Sequence, residues 1–139
     1  MQKLEIDGKS WSVENKTELL RALINELGGD ARISFEGNFR DLRILSLPGV
    51  SQEETAVLKR NTIWPKQDFA VVPLTTAAEK PILSTIGGKV PRKLIHIQIE
   101  RAGVLEFGAY DNFQSVFLGP GINPDFVASL TARGIITTG

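Results

Sequence analysis

Imidazole chemistry in this chain has one source, because His96 is the only histidine. A two-histidine metal site is excluded, and so is a Ser–His hydrolase built on any other ring. Around it, Leu94, His96, Gln98 and Glu100 alternate with Ile95, Ile97 and Ile99, which places the ring on the polar side of a strand. The expected register sets His96 opposite Gly108 and then Ser115, with Gln98, Glu106 and Tyr110 nearby. An imidazole over a glycine gap, with acidic and phenolic neighbours, has the groups of a shallow proton-transfer or ligand site. The plain alternative is a solvated strand histidine, since a function needs an assembled site. Ser115 beside His96 suggests a nucleophile and base, but no strand-to-helix elbow presents the serine and no oxyanion loop accompanies it.

Other chemistry falls to composition and spacing. With no cysteine there are no disulfides, thiolate nucleophiles, Cys-based zinc sites or iron–sulfur clusters. Gly87-Gly88-Lys89 lacks the first glycine of a phosphate loop and the following Ser or Thr, and it reads better as a helix stop. Glu53-Glu54, Asp111 and Asp125 suit helix starts and turns, and no paired carboxylates, metal cage or EF-hand spacing can be assigned. No metal and no cofactor is expected.

Two basic clusters remain, Lys59, Arg60 and Lys66 around Trp64, and Lys89, Arg92 and Lys93 after a glycine pair. Brought together with Trp64 as a stacking platform, they would hold single-stranded nucleic acid or a phosphate-bearing ligand. Sixteen basic residues balance sixteen acidic ones, however, so the field that draws dedicated nucleic-acid binders is absent. Two solvated charge runs are the expectation, and nucleic acid is not the expected partner.

The elements that position these residues follow from periodicity. Leu4-Glu5-Ile6, Asp7-Gly8 and Ser10 to Val13 predict an N-terminal hairpin. Asn15 caps a helix with Glu18 three residues on, Leu19, Leu20, Leu23, Ile24 and Leu27 form its apolar stripe, and Gly28-Gly29 ends it. Ala31, Ile33 and Phe35 alternate with Arg32, Ser34 and Glu36 as a half-buried strand. A short strand is expected near Arg43 to Ser46. Residues 52–60 fit helix and strand alike. Asp68 to Leu74 predicts a strand whose end Pro73 places at an edge or sheet margin. Thr76 with Glu79 then forms a capping box, or Pro81 moves the helix start toward itself, with Ile82, Leu83 and Ile86 facing inward either way. If Arg101-Ala102-Gly103 is a three-residue loop, Ile99 faces Leu105, Ile97 faces Phe107 and Ile95 faces Ala109. A two-residue Asp111-Asn112 turn then sets Phe107 on Val116 and Leu105 on Leu118. Asn123 and Pro124 open a last helix, stopped by Gly134, with a final strand over Ile135 to Thr138.

These elements predict one α+β domain over 1–139: a mixed or mainly antiparallel sheet ending in a three-stranded meander, with about three helices packed chiefly on one face. At 139 residues a single core buries about two-thirds of the unfolded surface. The N-terminus lacks a signal-peptide pattern and no apolar run spans a bilayer, so a cytoplasmic protein away from membranes is expected.

On the expected register Tyr110 lies beside Phe113, and Glu106 beside Phe117. The outer meander face thus mixes three aromatics with His96, Gln98 and Glu100. Such a face is either covered by the chain, with the hairpin or a helix as candidates, or offered to a partner. In size and composition alone the chain resembles small bacterial interaction proteins such as toxin-neutralising immunity proteins, with no residue-level correspondence. The expected function is a non-enzymatic protein-interaction or immunity-like binding protein, or a self-associating one, using His96, Gln98, Glu106, Tyr110, Phe113 and Phe117. A small enzyme or ligand-binding domain centred on His96 is the alternative.

Overall fold

Among the described residues, local capping starts each of three helices. The Asn15 side chain accepts the Glu18 N–H at 3.1 Å and opens α1 (Lys16–Leu27). Thr75 accepts the Ala78 N–H at 3.2 Å and opens α2 (Thr76–Ile86). Asn123 accepts the Asp125 N–H at 2.8 Å, with Pro124 at the first position of α3 (Pro124–Ala132). Of the two starts the sequence leaves open for α2, the structure has the one at Thr76, well before Pro81. With the N-terminus already capped, the proline removes one internal hydrogen bond without stopping the helix.

The computed structural model describes residues 2–6 and 9–138, with side chains from Trp11 onward. The described strands are β1 (Gln2–Ile6), β2 (Lys9–Val13), β3 (Ala31–Gly37), β4 (Asp68–Pro73), β5 (Leu94–Arg101), β6 (Val104–Tyr110), β7 (Ser115–Leu118) and β8 (Ile136–Thr138). They form one sheet in the order β4-β3-β5-β6-β7-β1-β2-β8. All neighbours are antiparallel except β1 and β7, which run parallel. The expected Asp7-Gly8 turn lies outside the described residues. Residues expected as a strand near Arg43 form a single 3-10 turn, Ile44–Ser46, which buries Ile44.

One face of the sheet carries the main core. Leu19, Leu23 and Ile24 of α1, Ile82 and Ile86 of α2, and Val127 and Leu130 of α3 pack with Ile33, Phe35, Val72, Ile97, Ile99 and Phe107. Each such side chain contributes roughly 1.5–3 kcal/mol when fully buried. All three helices therefore cover the same side. This is the expected α+β arrangement, with β5, β6 and β7 as the meander.

The meander register differs from expectation in both turns. Arg101 pairs with Val104, leaving Ala102-Gly103 as a two-residue turn with positive φ at both positions (53° and 77°). The odd residue sits in β6 instead: Glu100 faces Leu105 and Ile99 faces Phe107, so Glu106 is bulged between them. The bulge restores the phase, and Ile97 rather than Ile95 meets Ala109. Gln98, not His96, lies opposite Gly108.

The second turn is four residues long. Tyr110 pairs with Ser115, Phe107 with Leu118 and Gly108 with Phe117, so Glu106 is not beside Phe117. Asp111, Asn112 and Phe113 all have positive φ (52°, 57° and 68°). This sharp reversal carries Phe113 through to the helix side, where it is 2% exposed. Its ring lies 6.3 Å from that of Phe107 and 5.9 Å from the Lys16 ammonium. Phe113 therefore does not share the outer face with Tyr110 and Phe117.

Candidate functional site

The outer face of the sheet carries polar side chains that need a roof. Ser34, Glu36, His96, Gln98, Glu100 and Glu106 are each 6% exposed or less. Burial of such groups is tolerated only where hydrogen bonds replace water. Among the described residues much of the roof is the segment 51–67, in place of the helix or hairpin expected; the hairpin strands β1 and β2 lie within the sheet itself.

This strap begins at the free edge of β4, where Ser51 and Val71 exchange two backbone hydrogen bonds (2.8 and 2.7 Å). Thr55 Oγ1 then accepts the N–H groups of Val57 (3.2 Å) and Leu58 (2.8 Å). That turn drops Leu58 onto Phe69 and Val71, with Leu105 beside them. Residues 52–60, which fit helix and strand alike, are thus neither. Next, the Glu54 carboxylate accepts the Arg60 N–H at 2.8 Å. The Arg60 guanidinium lies 5.1 Å from the centre of the Phe69 ring and donates to Gln67 O at 2.6 Å. Finally Glu36 reaches up from β3 and accepts the N–H groups of Asn61 (2.7 Å) and Thr62 (3.1 Å).

Beyond Thr62 the strap rises into a crest. Ile63 is 96% exposed and Trp64 is 85% exposed. Beside the crest is a wide, solvent-open cleft of about 610 Å³, lined by Asn61, Thr62, Ile63 and Trp64 of the strap, His96 of β5, and Tyr110 and Asp111 at the end of β6.

Both nitrogens of His96 are engaged. Nδ1 accepts the Asp111 N–H at 3.2 Å, and Nε2 lies 2.8 Å from Thr62 Oγ1. The positive φ of Asp111 belongs to the turn that points this N–H at the ring. Tyr110 is tilted against His96, with ring centres 5.9 Å apart, and its hydroxyl accepts from Gln98 Nε2 at 3.0 Å. The tyrosine folds back over Gly108, where a Cβ would collide with its ring and hydroxyl. Gly108→Ala is therefore expected to cost about 1–3 kcal/mol by overpacking, read by urea unfolding. A wild-type midpoint would show that Tyr110 is not held there.

Of the six expected site residues, His96 and Tyr110 line the cleft, and Gln98 braces Tyr110. Glu106 is elsewhere: its carboxylate accepts the Gly121 N–H at 3.1 Å and faces Arg101 at 3.8 Å. That position is about 13 Å along the strand from Tyr110. Phe117 is 40% exposed on the outer face but does not line the cleft, and Phe113 is in the core. Asn61, Thr62, Ile63, Trp64 and Asp111 complete the cleft and were not among the expected site residues, Trp64 having been considered as a stacking platform only. Their signal was indirect, in the run of outward polar residues on β3 and β5 that requires a polar cover.

Of the second basic cluster, Arg92 is the member brought beside the cleft. Asn112 Nδ2 donates to Arg92 O (2.8 Å) and Leu94 O (3.4 Å), which sets Arg92 beside the cleft-lining turn. Lys93 turns aside to Arg40 O (2.9 Å) and the Asp41 carboxylate (3.6 Å). Among the described residues no three histidine or acidic side chains gather as a metal site, and no helix is long and apolar enough to cross a membrane. No family model matches the chain, and neither a curated protein nor a solved structure does.

Proposed function

We propose that the protein is a non-enzymatic interaction or immunity-like binding protein that docks a protein partner through the Ile63–Trp64 crest. The observation carrying this reading is the exposure of those two side chains, 96% and 85%, on a segment whose flanks are bonded to the sheet. A protruding tryptophan and its aliphatic neighbour are the side chains that fill partner pockets. Holding them in place beforehand lowers the ordering cost of binding. A proton-transfer role for His96 is less well supported, because both ring nitrogens are occupied and Glu106 is committed to Gly121. The cysteine-free composition supports a cytoplasmic setting.

The test places a photoreactive amino acid at position 64 and, as a control, at exposed Arg133. The species captured at position 64 is then purified and its affinity measured for the wild type, Trp64→Ala and Arg133→Ala. A hot-spot tryptophan should cost about 2 kcal/mol or more on truncation, and Arg133→Ala should change nothing. Capture of a second copy of the chain would support the same surface, used for self-association. Equal capture at both positions, or a Trp64→Ala affinity equal to wild type, would remove the proposal.

A further inference from the structure

Hydrogen-bond polarity determines what the cleft can recognise. The Asp111 N–H can only donate, so His96 Nδ1 accepts, and the hydrogen of the neutral ring resides on Nε2. Nε2–H then donates to Thr62 Oγ1, and the threonine's own O–H must point elsewhere. The same holds for Tyr110. Ser34 donates to Gln98 Oε1 at 3.3 Å, the Gln98 amide nitrogen donates to Tyr110 Oη, and the phenol keeps its O–H free. Among the described residues neither hydroxyl has an acceptor. Two residues that line the cleft, Thr62 and Tyr110, thus carry hydroxyl donors, each held by a buried donor behind it, with the Tyr110 hydroxyl lying over Gly108 beside Gln98.

Charge around the cleft points the same way. Lys59, Lys66 and Arg92 are exposed, lie on segments adjoining the cleft and form no ion pair among the described residues. Against them stand two carboxylates, Asp111 in the lining and Glu36 beneath the Asn61 and Thr62 amides. We propose that the cleft receives the carboxylate of an acidic side chain on the protein partner. Thr62 and Tyr110 donate to its oxygens, Ile63 and Trp64 cover its methylenes, and the three cations offset Asp111 and Glu36. This rests on the crest being a protein-binding surface and specifies what that surface recognises. A nucleic-acid phosphate fits less well: Ile63 offers no stacking face, and Asp111 stands at the rim of a molecule with no net charge.

The test titrates N-acetylglutamate N-methylamide into the full chain and follows the Trp64 indole and Asp111 amide signals by NMR. The isosteric glutamine amide, the lysine analogue and a short single-stranded oligonucleotide are compared with it. Millimolar binding of the glutamate probe is expected, with the glutamine probe about tenfold weaker, since a charged acceptor strengthens each hydrogen bond. Tyr110→Phe should weaken the glutamate probe about tenfold by the same reasoning. Lys66→Gln, at an exposed position that leaves the fold alone, should weaken it several-fold and flatten its salt dependence. Equal binding of the glutamate and glutamine probes, preference for lysine, or stronger binding of the oligonucleotide would overturn the proposal. A partner captured at position 64 together with an unmoved Trp64 indole in the glutamate titration would leave the binding surface standing and discard the carboxylate.

Discussion

Glu36→Ala is expected to release the tip of the strap while its base stays attached. Glu36 is 1% exposed, and its carboxylate is the acceptor for the Asn61 and Thr62 amides. Alanine leaves both donors without a partner, at about 1–3 kcal/mol for each group that stays buried. It also opens a gap between Phe69 and His96, the residues paired with Glu36 on either side. The base is held by other means: Ser51 on Val71, Leu58 on Phe69, and Arg60 over the Phe69 ring. The loosened tip can admit water to the freed amides, which keeps the total near the lower end, about 2–4 kcal/mol. Urea unfolding measures that loss, and amide exchange locates it. Residues 61 and 62 should exchange like an open loop, while Leu58 stays protected. Thr62 would also leave His96, so the cleft loses one of its two donors and the crest regains the freedom that binding must remove. Glu36→Gln keeps one carbonyl acceptor but turns an amide NH₂ toward the other strap N–H, so its effect should be intermediate. Unchanged exchange at Thr62 in Glu36→Ala would show that the strap is held by something else.

The parts of this fold that were legible in the sequence are those decided locally. Asn15 and Asn123 cap their helices because an acceptor and its N–H lie within three residues of each other. The alternation of Ala31, Ile33 and Phe35 against Arg32, Ser34 and Glu36 placed β3, and that of β5 placed His96 on the outer face. The meander register was not legible, because counting residues assumes an unbroken ladder. The Glu106 bulge is tied to a distant turn: its carboxylate occupies the space beside Gly119 and Gly121 that any Cβ there would need. The strap has no periodicity to read. Its apparent capping pair is used differently, with Ser51 Oγ accepting the Glu53 N–H at 3.1 Å and Glu54 bonding Arg60. Thr62 meets His96 across thirty-four positions of sequence, so only the fold brings them together. The half of the cleft supplied by strands could be anticipated, and the half supplied by the strap could not.

Phe113→Ala and Phe113→Gly together test the turn that delivers Asp111 to the cleft. Phe113 buries its ring against Phe107 with 2% exposure, so truncation should cost about 3–5 kcal/mol from lost burial and the cavity left behind. Its φ of 68° adds a second effect. An L-residue in the left-handed region is disfavoured by roughly 1–2 kcal/mol, and glycine escapes that penalty. Glycine also loses more chain entropy on folding, which offsets part of the gain. The net expectation is that Phe113→Gly is at least as stable as Phe113→Ala in urea unfolding. At an ordinary strand position glycine would be the worse by about 0.5–1 kcal/mol. Both variants should shift the Asp111 amide signal, because Phe113 anchors the turn on the core side while the Asp111 N–H holds His96 Nδ1 on the other. An alanine variant clearly more stable than glycine would mean that residue 113 does not hold a left-handed backbone. The ring could then not pass through to the helix side, and the route from core packing to His96 and the cleft would have to be redrawn.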